Sequence, residues 1–155
     1  DEIELAFEAS HGLARRGGVT LSIRLIEGEF PNYHQVIPTE LNRRIALPCE
    51  ILIQALRRVA LLSSERSRAI KMEISEGKLA ISSNNPDLGD AHEEIDIDFS
   101  GDSLSIGFNA RYLLDALGSM HAKEVFLGLQ DELSPAKILP TDDEDSFAVV
   151  MPMRI

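Results

Sequence analysis

Apolar and polar residues alternate along residues 3–8 and again along 19–25. This period of two is the signature of strands with one buried face. Residues 11–18 hold three glycines and two arginines and read as the turn between them. Residues 1–26 therefore predict two antiparallel strands, too few to hold a fold alone. Gly28, Pro31 and Pro38 make residues 27–38 an extended linker, and the change in composition there marks a domain boundary. Beyond it, residues 45–47 predict a short strand and 50–63 a helix. That helix carries Ile51, Leu52, Ala55, Val59 and Leu62 on one apolar stripe, with Ile53, Arg57 and Leu61 off it. Strands are predicted over 69–75, 78–83 and 93–99, with Glu76-Gly77 as a turn and a polar loop opening at residues 84–87. Another strand at 104–108 follows, then Asn109 as a helix N-cap and a helix over 110–117 that Gly118 ends. Three last strands fall at 125–129, 136–139 and 147–151, and Pro152, lacking a backbone donor, closes the ladder.

The second half of this pattern repeats the first. Residues 45–56 align with 106–117 without a gap, at a constant offset of 61 residues. The chain thus predicts an α+β fold of two tandem strand-helix-three-strand units. Each unit has one apolar helical stripe and one sheet to cover. Packing the two helices side by side on one layer of antiparallel sheet buries both. It also leaves Arg57, Arg58 and Arg111 on a common outer helical surface.

The C-terminus departs from the usual polar, frayed end. After the apolar run 147–151 the chain reads Pro152-Met153-Arg154-Ile155. Methionine adapts its shape to irregular partners, so an apolar, Met-rich end beside a strand reads either as a plain core strand or as the wall of a binding site. Charge sharpens this picture. The net charge is −11, which argues against a protein that simply coats nucleic acid. Yet residues 43–78 carry 8 basic and 4 acidic groups, against 4 and 15 in residues 79–155. No apolar run approaches the roughly 20 residues of a membrane span, and no signal-peptide pattern opens the chain. Cys49 is the single cysteine, so no internal disulfide forms and a reducing, cytoplasmic setting fits. The first residue is Asp1 rather than Met, as expected of a fragment or a processed chain.

Candidate chemistry is sparse. Gly101-Asp102-Ser103-Leu104 spells the nucleophile block of a serine-esterase family, and Ser103 would be the nucleophile of a small hydrolase. Such a site needs a histidine base near the C-terminus, and the last histidine is His121. The four histidines lack metal-ligand spacing, and the acidic run 142–145 reads as a solvated loop. Cys49 stands at a helix start without a base nearby in sequence. These patterns predict no catalytic site, no metal and no cofactor.

Four stretches carry a resemblance. Residues 25–33, with Glu27-Gly28-Glu29-Phe30-Pro31-Asn32-Tyr33, resemble the linker before the last domain of the bacterial sliding clamp family, the beta subunits of DNA polymerase III. Residues 149–155 are similar to that family's C-terminal signature, and Asn84-Asn85-Pro86 and Gly107-Phe108-Asn109 also fit. The resemblance implies residues 1–33 as the tail end of the middle clamp domain plus linker, and 34–155 as the complete C-terminal domain. It implies a non-enzymatic processivity factor, two copies of which close head to tail around duplex DNA. Its partners would be the polymerase catalytic subunit, the clamp loader and repair proteins, held through short linear motifs. Carried residue by residue, the peptide pocket takes Pro31, Val36, Asn109, Tyr112, Leu133, Val149, Val150, Met151, Pro152, Met153 and Arg154. Gln35 and Ser67 stand where relatives carry a basic and an aromatic residue. Leu61 and Leu62 match the family's subunit interface, and Arg57, Arg58 and Arg111 would face DNA. The other half of the pocket is implied in the preceding domain. A stand-alone peptide-binding adaptor of the same fold, which never encircles DNA, is the alternative.

Overall fold

Three strands, not two, form the first part of the chain: β1 (Glu4–Phe7), β2 (His11–Arg16) and β3 (Val19–Arg24), an antiparallel sheet in that order. The computed structural model describes residues 2–29, 32–64, 67–143 and 145–154. Residues 11–16, expected as a turn, are the central strand. Its glycine eases packing: the Phe7 ring comes within 3.3 Å of where a Cβ on Gly12 would sit, closer than most such contacts. The turn is Gly17-Gly18, with Gly17 in the left-handed region at φ 56°. Leu5, Ala14 and Leu21 stand in register across the sheet, as do Phe7, Gly12 and Ile23, so one face is apolar.

The chain divides into two compact units, Asp1–Asn32 and Tyr33–Ile155. The second opens with a short 3-10 turn, Tyr33–Gln35. It continues with β4 (Arg43–Pro48), α1 (Cys49–Ala60), β5 (Ala69–Ser75), β6 (Lys78–Asn85) and β7 (Gly89–Asp96). The second repeat is β8 (Leu104–Asn109), α2 (Ala110–Met120), β9 (Glu124–Leu129), β10 (Ala136–Pro140) and β11 (Ala148–Val150). The 61-residue offset holds for both strand–helix pairs, since β4 and α1 begin at 43 and 49 and β8 and α2 at 104 and 110.

The described residues of the second unit form two sheets, each of four strands: β11-β10-β9-β4 and β7-β6-β5-β8. Each repeat therefore lends its first strand to the other repeat's sheet. The helix starts record the same exchange. The N–H of Cys49 donates to the Lys123 carbonyl just before β9, and the N–H of Ala110 donates to the Arg68 carbonyl just before β5, both at 2.9 Å. One otherwise orphaned helical donor is satisfied in each case.

The core lies between the sheets and the helix pair. Phe108, Ile45, Leu47, Leu56, Ile70, Met72, Ile74, Leu79 and Ile81 are fully buried, each stabilising the fold by roughly 1.5–3 kcal/mol. Ala60 and Leu61 share one cleft with Ala110 and Arg111, and Cys49 and Ile53 share another with Leu117 and Gly118, so the helices run antiparallel. Several boundaries differ from the sequence pattern. Ile51 is exposed, whereas Leu56 is buried, because the stripe of α1 runs Cys49, Leu52, Ala55, Leu56, Val59. Gly118 lies inside α2, which ends at His121 in the left-handed conformation, φ 49°. β7 starts at Gly89 rather than at residue 93, because Gly89, at φ 99°, makes a tight hairpin that carries the pairing through the polar residues Asp90 and His92.

Candidate functional site: the C-terminal strap and its cleft

β11 is the edge of its sheet, with Val150 paired to Ala136 and Val149 to Lys137. Val150 is buried and Met151 is 55% exposed. Pro152 cannot donate, so the ladder stops there. The chain then crosses to the other sheet: the N–H of Met153 donates to the carbonyl of Gly107 on β8 at 2.8 Å, an isolated antiparallel bridge. The last residues are thus a strap between the two sheets. Beneath it opens a cleft of about 430 Å³ lined by Ser105, Ile106, Gly107, Glu132, Leu133, Met153 and Arg154.

The cleft wall opposite the strap is the loop from β9 to β10. Asp131 folds this loop: its Oδ1 accepts from the N–H groups of Leu133 (2.8 Å) and Ser134 (2.7 Å), and its Oδ2 from the Ser134 hydroxyl (2.9 Å). The Leu133 amide, the Ser134 hydroxyl and amide and, more weakly, the Arg43 charge hold the Asp131 carboxyl below the usual carboxylate range. Leu133, held at the tip, is 60% exposed. An exposed leucine facing a methionine strap and an arginine is a surface that can take an apolar side chain and fix a carboxylate or backbone beside it.

The structure brings Leu133, Met153 and Arg154 together around this cleft, with residues 149–152 leading into it. Asn109 and Tyr112 stand just beyond Gly107, at the start of α2. Both ends of the Asn109 amide are occupied: Oδ1 accepts from the Arg111 N–H at 2.9 Å, and Nδ2 donates to the Ser67 carbonyl at 3.1 Å. Tyr112 is 59% exposed. Val36 follows the 3-10 turn that contains Gln35, is 45% exposed, and does not line the cleft. Pro31 lies outside the described residues.

The three cationic residues differ in their partners. Arg58 forms a two-pronged pair with Glu93 on β7, at 2.6 and 2.8 Å. The hydrogen bond from Arg58 holds the Glu93 carboxyl below its usual range. Arg111 stands 3.6 Å from Asp115 one turn on, and Arg57 is exposed without an ion pair among the described residues. Leu61, just past α1, is 77% exposed, whereas Leu62 is half-buried. Ser103 sits in the connection between β7 and β8. Burial, and then the charge of Glu50, push the Cys49 thiol up, away from the reactive thiolate. Asp143 turns its own loop by accepting from the N–H groups of Asp145 (2.9 Å) and Ser146 (3.3 Å).

Sequence reasoning missed Ser105, Ile106 and Glu132, which complete the cleft, and the roles of Arg43 and Asp131 behind it. Ser105 and Ile106 carry no local signal, because they reach the site only through the strand exchange. Asp131 does carry one: Asp followed by Ser three residues later is an Asx-turn pattern.

The family model for the DNA polymerase III beta subunit, C-terminal domain, matches residues 34–154. The beta sliding clamp of Pseudomonas putida is 39% identical over 153 residues, 99% of this chain and 42% of that protein. That of Escherichia coli K12 is 35% identical over 142 residues, 92% of this chain and 39% of its own length. The crystal structure of the DNA polymerase III subunit beta from Pseudomonas aeruginosa superposes with a TM-score of 0.91 at 37% identity, covering 99% of this chain and 42% of that one. The chain thus spans well under half the length of these relatives.

Proposed function

We propose, for a chain that belongs to the DNA polymerase III beta family and matches its C-terminal domain, that the strap and cleft dock short linear peptides of replication proteins. The complete protein, on this reading, is a sliding clamp of the cytoplasm: a non-catalytic homodimeric ring that tethers the polymerase, the clamp loader and repair proteins to duplex DNA. The observation that carries the reading is the Met153–Gly107 bridge, which props an apolar strap over an open cleft instead of burying it in a core. Met151, Met153 and Leu133 supply the apolar surface, each side chain able to stabilise a bound Leu or Phe by roughly 1.5–3 kcal/mol when fully covered. Val149, Val150 and Pro152 set the strap, Arg154 offers a fork for carboxylate or carbonyl, and Val36, Asn109 and Tyr112 flank the site.

DNA contact on this reading is electrostatic and blind to sequence, as sliding requires. Arg57 and Arg111 carry more of it than Arg58, whose guanidinium already holds Glu93. Leu61 and Leu62 are the apolar contribution to the interface between the two copies in the ring.

Fluorescence anisotropy with a labelled Gln-x-x-Leu-Phe peptide tests the docking. The expected result is saturable binding that Met153→Ala and Leu133→Ala each weaken about tenfold, matching the loss of part of one buried side chain. Unchanged binding by both folded variants contradicts the assignment.

A further inference from the structure

We propose that Asp131 and Arg43 are positioning residues that hold the two walls of the peptide cleft in place before any peptide arrives. This rests on the docking reading above and deepens it. One wall is β8, which enters the cleft at Ser105 directly after the connection containing Asp102. The other is the loop carrying Leu133, which leaves β9 at Gln130. A single guanidinium spans them: Arg43 Nε donates to the Asp102 carbonyl at 3.0 Å and a terminal nitrogen donates to the Gln130 carbonyl at 2.8 Å. Arg43 opens β4, the strand exchanged into the β9 sheet, so it stands where the two sheets must be kept in register with each other. Its planar fork fixes a spacing between two carbonyls that a lysine ammonium, as a point donor, does not.

Asp131 acts on the same wall from within its loop. Its carboxylate takes three donors from Leu133 and Ser134. These bonds are assisted by the charge. They define the conformation of an exposed loop whose tip is apolar and has no burial of its own to order it. A cleft with one wall pre-ordered loses less conformational freedom when a peptide binds, and that difference appears as affinity. Neither residue lines the cleft, so both act through Leu133 and β8.

The test measures amide hydrogen exchange at Leu133 and Ser134, together with affinity for the Gln-x-x-Leu-Phe peptide, in the 155-residue chain. The variants are Asp131→Asn, Asp131→Ala, Arg43→Lys and Leu133→Ala. Asp131→Ala is expected to speed exchange at both amides at least tenfold and to raise Kd at least fivefold. Asp131→Asn keeps an oxygen acceptor and is expected to fall between it and the wild type. Arg43→Lys is expected to raise Kd with little change in Leu133 exchange, because it loosens the spacing and not the loop. Unchanged exchange in Asp131→Ala overturns the proposal. So does faster exchange with unchanged Kd where Leu133→Ala weakens binding. If the wild type binds no peptide, the docking reading falls and the positioning role with it. The exchange data then show separately whether the loop is held as described.

Discussion

Glu93 and Asp131 keep their charge at lower pH than free carboxylates do, and each does so because of a named partner. The Arg58 guanidinium grips Glu93, and Leu133 and Ser134 donate to Asp131. Glu94, beside Lys78, and Asp143, beside Ser146, are shifted the same way. A carboxyl whose folded pKa is depressed contributes stability that is fully present above its unfolded value and is lost as pH falls through the folded one. With ordinary values of 4.5 for Glu and 3.8 for Asp, urea midpoints are expected to hold steady from neutral pH to about 5 and to fall steadily below about 4.5. A midpoint that rises on acidification would contradict these assignments. Gly118 is a second residue-scale case. It lies in α2, and beyond its chain neighbours and the helix's own backbone no atom comes within 4 Å of the position a Cβ would take. Gly118→Ala is expected to stabilise the fold by about 0.5 kcal/mol, read as a small rise in Tm. A loss would show that the glycine serves the fold in some other way.

Between elements, what could be read from the chain depended on how local the signal was. Both helices and most strands of the second unit lie close to where periodicity puts them, and the 61-residue repeat relates β4–α1 to β8–α2. The exchange of β4 and β8 between sheets was not legible, because partner choice between two similar repeats is decided by packing and not by either segment alone. β2 was misread because Gly12, Gly17 and Gly18 look alike in sequence although only Gly17 takes a positive φ. Gly128 shows how an element can depend on the absence of one carbon. Leu41 lies across β9 with a methyl 2.6 Å from where a Gly128 Cβ would sit. Gly128→Ala is expected to cost about 1–3 kcal/mol by overpacking, measured by chemical denaturation. Combining it with Leu41→Ala should recover part of that cost, since the two sites share one space. Full additivity of the two losses would contradict the contact.

Across the second unit, the candidate site forms because the C-terminal strap leaves one sheet at Pro152 and joins the other at Gly107. The strap residues were legible: an apolar run, a proline that ends it and a Met-rich end, reinforced by the match to a known signature. The opposite wall was only half legible. Leu133 was found through the resemblance, while Asp131, Arg43, Ser105 and Glu132 are joined to the site by tertiary structure. Removing the bridge should therefore cost binding before it costs folding, because Met153 is half-buried whereas Val150 is core. Truncation after Met151 is expected to leave far-ultraviolet circular dichroism close to that of the full chain while abolishing saturable peptide binding. Retained binding would mean that the strap is not part of the site. The most direct measurement is a nuclear magnetic resonance titration of the isotopically labelled chain with the Gln-x-x-Leu-Phe peptide. Saturable shifts are expected, concentrated at Gly107, Tyr112, Leu133, Met153 and Arg154. Shifts centred instead on the outer face of β5–β7, around Lys71 and His92, would contradict it, as would a spectrum that peptide leaves unchanged.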